Sequence, residues 1–191
     1  MPIEGRGWEL RVLRLGIQQS GVKSRTYGSY EAFLDGEPIA NLAGNVCECE
    51  GPGENIIPKT DKRIKEGRYP LRTQFGPHYH TIGYSTDRNV AGQVPMPGIL
   101  VGDTGNRDAI LIHPGHPPKL YLSSIGCLNL TKPLQAGDDM DFWESRDRVI
   151  ALIDSLRAFA PDAFDREVST GIGAWLVIDG EPMEPVPDIG V

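Results

Sequence analysis

Residues 29–42 read SYEAFLDGEPIANL, and this stretch sets the fold class. Ser29 to Leu34 alternates as a strand, Asp35-Gly36-Glu37-Pro38 is a turn, and Ile39 to Leu42 is the returning arm of a hairpin. Just upstream, Trp8 to Leu15 (WELRVLRL) alternates in the same way and supplies a strand for the hairpin to pair with. Glycine (23) and proline (16) are spread along all 191 residues, as expected of many short strands joined by turns.

Further along the chain, Gly51-Pro52-Gly53-Glu54-Asn55 interrupts the pattern, and Ile64 to Leu71 reads as a turn entering a strand. His78 to Tyr84 alternates again, while Pro95-Met96-Pro97-Gly98 is a rigid loop. Ala109-Ile110-Leu111-Ile112 is a short continuous apolar run, which predicts a buried central strand that delivers His113 at its end. One helix is predicted over 142–160. Asp141 is its N-cap, with Glu144 three residues on as in a capping box. Val149, Ile150, Ile153, Leu156 and Ala160 recur at helical spacing, and Pro161 stops the run. A last strand covers Ala174 to Ile178, before a second Asp-Gly-Glu-Pro turn at 179–182. The expectation is a mainly β (α+β) single domain over 1–191, with one packed helix on its C-terminal side.

A formal net charge of −7 leaves no basic stripe for a phosphate backbone, so no nucleic-acid partner is expected. No stretch approaches the roughly 20 apolar residues that would span a bilayer. Met1 to Gly7 has no basic-then-apolar leader, so the chain is expected to be made in the cytoplasm. Three cysteines is an odd number, and Cys47 and Cys49 stand too close in sequence for ready pairing, so all three are read as reduced thiols in core or edge positions or, for Cys127, in a site.

The chemistry concentrates at Ser124-Ile125-Gly126-Cys127-Leu128-Asn129. A thiol is a strong nucleophile as thiolate, and a histidine can take its proton; His113, 14 residues upstream, is placed for that role. Gly126 lets the backbone turn beside the sulfur, Ser124 can hold the turn, and amides of such a turn can stabilise an oxyanion. His116 is the competing base, and either histidine can be the one that faces the sulfur. His78, His80, His113, His116 and Cys127 could also be weighed as a zinc set, but their spacing matches no compact zinc module, so neither metal nor cofactor is expected.

Ile112-His113-Pro114-Gly115 followed by Ser124-Ile125-Gly126-Cys127-Leu128 resembles the signature of the L,D-transpeptidase catalytic domain, and Ile64 to Leu71 resembles that family's Pro-x-Gly-x-Tyr-x-Val strand. The likeness covers about residues 56–132. A nearer likeness is to uncharacterised, often phage- or secretion-associated proteins with an Ile-His-x-Gly…Gly-Cys pattern. The resemblance implies a β-rich fold, a thioacyl intermediate on Cys127 with His113 as base, and peptidoglycan stem peptides as substrate. It implies transpeptidation or carboxypeptidation, and delivery to the periplasm or wall by phage lysis or a contact-dependent secretion system, with a secretion-apparatus or immunity partner.

Two positions depart from the family pattern: Ile125 stands where it has histidine, and Asn129 where it usually has arginine. An arginine there suits a substrate carboxylate, so Arg68 and Arg107 become the candidates to replace it, with His116 and Asn129 beside them in substrate binding. The alternative is a non-enzymatic wall-binding or assembly module that keeps the fold with a degenerate site.

Overall fold

The hairpin forms where the sequence puts it, and extends well beyond. In the computed structural model, which describes residues 2–182, β1 (Trp8–Ser20) and β2 (Lys23–Leu34) pair antiparallel from Trp8↔Leu34 to Ser20↔Lys23. β3 (Glu37–Glu48) returns along β2. The connecting turn is Asp35-Gly36, with φ of 50° and 84°. Two successive left-handed residues give a two-residue loop the twist of the strands it joins, and Gly36 adopts its angle without a Cβ clash.

The remaining strands are shorter: β4 (Gly67–Arg72), β5 (Tyr79–His80), β6 (Met96–Pro97), β7 (Ile99–Val101), β8 (Leu111–Pro114), β9 (Leu128–Thr131) and β10 (Gly171–Asp179). Eight of the ten close a barrel in the order β1-β10-β4-β7-β8-β9-β3-β2, and β5 and β6 form a separate parallel pair. Closure needs the parallel pairing of β1 with β10, which joins the two ends of the chain and leaves no free sheet edge in the barrel. The chain is mainly β, as expected, with one α-helix.

Leu10, Val12, Val46, Leu71, Ile99, Ile112, Leu128, Leu130, Leu176 and Ile178 meet in the main core. The helix α1 (Phe142–Phe159) adds Val149, Leu152, Ile153 and Leu156 to it and packs on β8 and β9. Asp141 caps it by accepting from Glu144 N at 2.8 Å. The capping box is not closed as the sequence suggests: the Glu144 carboxylate instead takes Lys132 N at 3.0 Å and the Arg148 guanidinium. No helix among the described residues is long and apolar enough to cross a membrane.

Several expectations shift. The alternating stretch from His78 to Tyr84 contributes only Tyr79–His80 as strand, and Met96–Pro97, expected as loop, pairs with it. Ala109 lies outside the central strand in a left-handed conformation (φ 54°), so the strand runs Leu111–Pro114 and His113 sits within it. β7 and β9, of three and four residues, are too short to leave a periodic signal.

Candidate functional site

β8 and β9 run parallel, with Ile112 opposite Leu128 and His113 opposite Asn129. Side chains alternate across a strand, so Ile112, Leu128 and Leu130 enter the main core while His113, Asn129 and Cys127 share the other face. That face is covered in its turn: His113 is 2% exposed, and the Tyr79 ring from β5 stacks on it with centroids 4.5 Å apart.

The imidazole is fixed at one end. Nδ1 lies 2.8 Å from the Pro114 carbonyl oxygen, so Nδ1 carries the proton and Nε2 keeps the lone pair that a base requires. Asn129, with no exposed surface, donates from Nδ2 to the His113 carbonyl at 3.2 Å and accepts from Ser123 N at 3.3 Å. Burial pulls the His113 imidazole down to about 4, leaving the ring neutral at physiological pH.

The Cys127 sulfur accepts from Leu111 N at 3.3 Å, and the thiol donates to the Ala109 carbonyl at 3.6 Å. Burial pushes this thiol up to about 12, partly offset by the Leu111 amide and by the charge of Arg107. Thiol and imidazole are not hydrogen-bonded to each other, so the resting site holds two neutral groups on one face. Tyr79, stacked on His113, is raised too, by burial and by the neighbouring Cys127.

The turn that carries Cys127 is built for close packing. Gly126 has φ 122°, and a Cβ there would meet Arg107 Nη2 at 2.1 Å. Ser124 Oγ donates to the Cys127 carbonyl at 2.9 Å and closes the turn, as the sequence suggests. Cys49 donates its thiol proton to Ser124 O at 3.2 Å. Continuing the β3–β9 register, in which Cys47 faces Asn129, puts Cys49 opposite Cys127. All three cysteines are free.

The substrate-side candidates separate. Arg107 does lie beside Cys127, but it is 4% exposed and donates to the carbonyls of Glu54, Thr60 and Ile125, so it positions the loop and has no free face for a carboxylate. Arg68 is a correction: Tyr69 and Leu71 take the buried side of β4, so Arg68 points the other way, onto Glu9 and Glu4 and over the Trp175 ring at 4.5 Å. Asn129 is another: it is buried under His113 and cannot read a substrate. His116 lies 5.9 Å from the His113 ring and binds through its backbone to Ser123 Oγ, with Nδ1 3.2 Å from Pro117 O. His80 turns to Phe75, and among the described residues no three His, Cys, Asp or Glu side chains gather as a metal site.

No family model, curated protein or solved structure matches the chain.

Sequence reasoning missed Tyr79 and Cys49. Both are brought to the site by strand pairing between segments far apart in the chain, for which no local signal exists.

Proposed function

We propose that the chain is a cysteine-dependent acyl-transfer enzyme of the L,D-transpeptidase or L,D-carboxypeptidase type, acting on peptidoglycan stem peptides. The observation that carries this reading is the β8–β9 pair, whose parity puts a thiol and a histidine with its Nδ1 on the Pro114 carbonyl on one face, both beside Tyr79. In this reading Nε2 of His113 removes the thiol proton, and the sulfur attacks a peptide carbonyl. The collapse of the tetrahedral adduct expels an amine, which takes the proton from His113. The thioester on Cys127 is then opened by a second amine, giving a cross-link, or by water, giving a shortened peptide. Asn129 orients the histidine, and Arg107 and Gly126 hold the thiol loop. Access to the wall would come through phage lysis or a contact-dependent secretion system.

A second reading, a wall-binding or assembly module without turnover, draws on one observation. The thiol proton is directed to Ala109 and not to His113, and both groups rest uncharged. Incubating wild type, Cys127→Ala and His113→Gln with muropeptides, and following products by mass spectrometry, separates the two. The enzyme predicts Cys127-dependent loss of a terminal D-residue or a new cross-linked mass. Identical muropeptides from all three proteins would favour the module.

A further inference from the structure

Next to the thiol loop lies a cleft of ≈ 420 Å³, walled by Arg72, Asp103, Thr104, Asp108, Ala109 and Ser169 among others. Its connection to the site runs through Ala109, which lines the cleft and whose carbonyl accepts the Cys127 thiol proton. Arg107 also borders it from below, with its guanidinium committed to three backbone carbonyls.

The charges in this cleft are unspent. Arg72, Asp103 and Asp108 are all exposed, and none forms an ion pair among the described residues. Their placement follows from the backbone on either side. Arg72 ends β4, and its stem passes over Gly102, where a Cβ would stand 3.2 Å from Arg72 Cδ. The loop from Asp103 to Ala109 begins and ends on left-handed residues, φ 56° and 54°. For a residue such as alanine that conformation is unfavourable on its own, so the rest of the loop has to hold it in place.

Two guanidiniums and two carboxylates line the cleft in balanced sign, and with Arg107 committed to backbone carbonyls the exposed charges are those of Arg72, Asp103 and Asp108. They suit a group carrying both signs. We propose that the cleft binds the zwitterionic head of a free amino acid, or of a side chain that itself ends in an amino-acid group, with its carboxylate on Arg72 and its ammonium on Asp103 and Asp108. This deepens the acyl-transfer reading by naming the substrate group held beside Cys127, and it supplies the free arginine that neither Arg68 nor Arg107 provides. The volume is that of a site for a small ligand portion, within the usual range of about 300–1,000 Å³.

The test is an NMR titration of the full chain with D-alanine, alongside D-alaninamide, which keeps only the ammonium, and N-acetyl-D-alanine, which keeps only the carboxylate. The expected result is shifts confined to residues 100–109 and neighbours of Arg72, with each single-charge analogue binding about tenfold or more weakly. Arg72→Gln and the double variant Asp103→Asn/Asp108→Asn should weaken D-alanine by a similar factor while the rest of the spectrum stays unchanged. Equal binding of the three probes, or shifts located elsewhere, would overturn the proposal. Cys127→Ala should bind D-alanine as wild type does, so failure of turnover and failure of the cleft are read separately.

Discussion

At the residue scale, the site is a pair of groups that burial keeps uncharged. An imidazole buried neutral protonates more easily once the chain unfolds. Between pH of about 6.5 and about 4 the unfolded state therefore takes up a proton that the folded state refuses. The contribution of His113 to stability is full above about 6.5, falls as the pH drops through this window, and levels off below about 4. Its extent is on the order of 3 kcal/mol. Urea unfolding at several pH values should show this extra acid loss in wild type and not in His113→Gln. The thiol behaves oppositely: held up to about 12, Cys127 carries little thiolate near neutrality. Its alkylation by iodoacetamide, mapped by peptide mass, should therefore be slow at pH 7 and rise about tenfold per pH unit toward 9. A rate independent of pH over that range would mean that the thiolate is already formed. Nothing in the Ser-Ile-Gly-Cys motif announces this surrounding, which only the fold supplies. Cys49 itself is raised to about 11 by burial.

At the element scale, what matters is the parallel register of β8 and β9 and the turn that enters β9. Asn129→Ala would remove the side-chain acceptor of Ser123 N and the side-chain donor to the His113 carbonyl. It should cost about 1–3 kcal/mol in denaturant unfolding. Gly126→Ala faces both a left-handed φ of 122° and the Arg107 guanidinium at 2.1 Å. A loss of about 2 kcal/mol or more in unfolding free energy is expected, and wild-type stability in that variant would show that the turn is looser than drawn. The helix reaches the site strands through Ser145, whose Oγ accepts from Gly115 N at 2.8 Å and donates to the Leu130 carbonyl. A single buried hydroxyl thus ties the ends of β8 and β9 to α1.

At the scale of the whole molecule, one end of the barrel is fastened by a buried ion network. Arg14 makes two 2.8 Å bonds to the Glu48 carboxylate, with both side chains almost fully buried, and a third at 2.6 Å to Glu181. Arg63 also reaches Glu181, at 2.9 Å. The network links β1, β3 and the segment after β10, which are the elements that barrel closure must bring together. Glu48→Gln should destabilise by about 1–3 kcal/mol, because it replaces a charged partner of the buried Arg14 guanidinium by a neutral amide while Glu181 still faces it. Thermal unfolding followed by circular dichroism would measure it, and a change under about 1 kcal/mol would show that water reaches the network.

The sequence by itself determined the elements whose signal is local. The Asp35-Gly36 turn, the alternation from Trp8 onward and the capped period of the helix each rest on interactions within a few residues, and each formed. It also singled out His113, Ser124, Gly126 and Cys127 as candidates, because a glycine-cysteine turn and a histidine after an apolar run can be read without their surroundings. Barrel closure through β1 and β10, the arrival of Tyr79 over His113 and of Cys49 opposite Cys127, and the separate fates of Arg68, Arg72 and Arg107 were decided only by the tertiary structure. An arginine has the same charge in every sequence context. Which of them is paired, which holds a loop and which stands free depends on strand parity and on long-range neighbours, and neither exists until the sheet has closed.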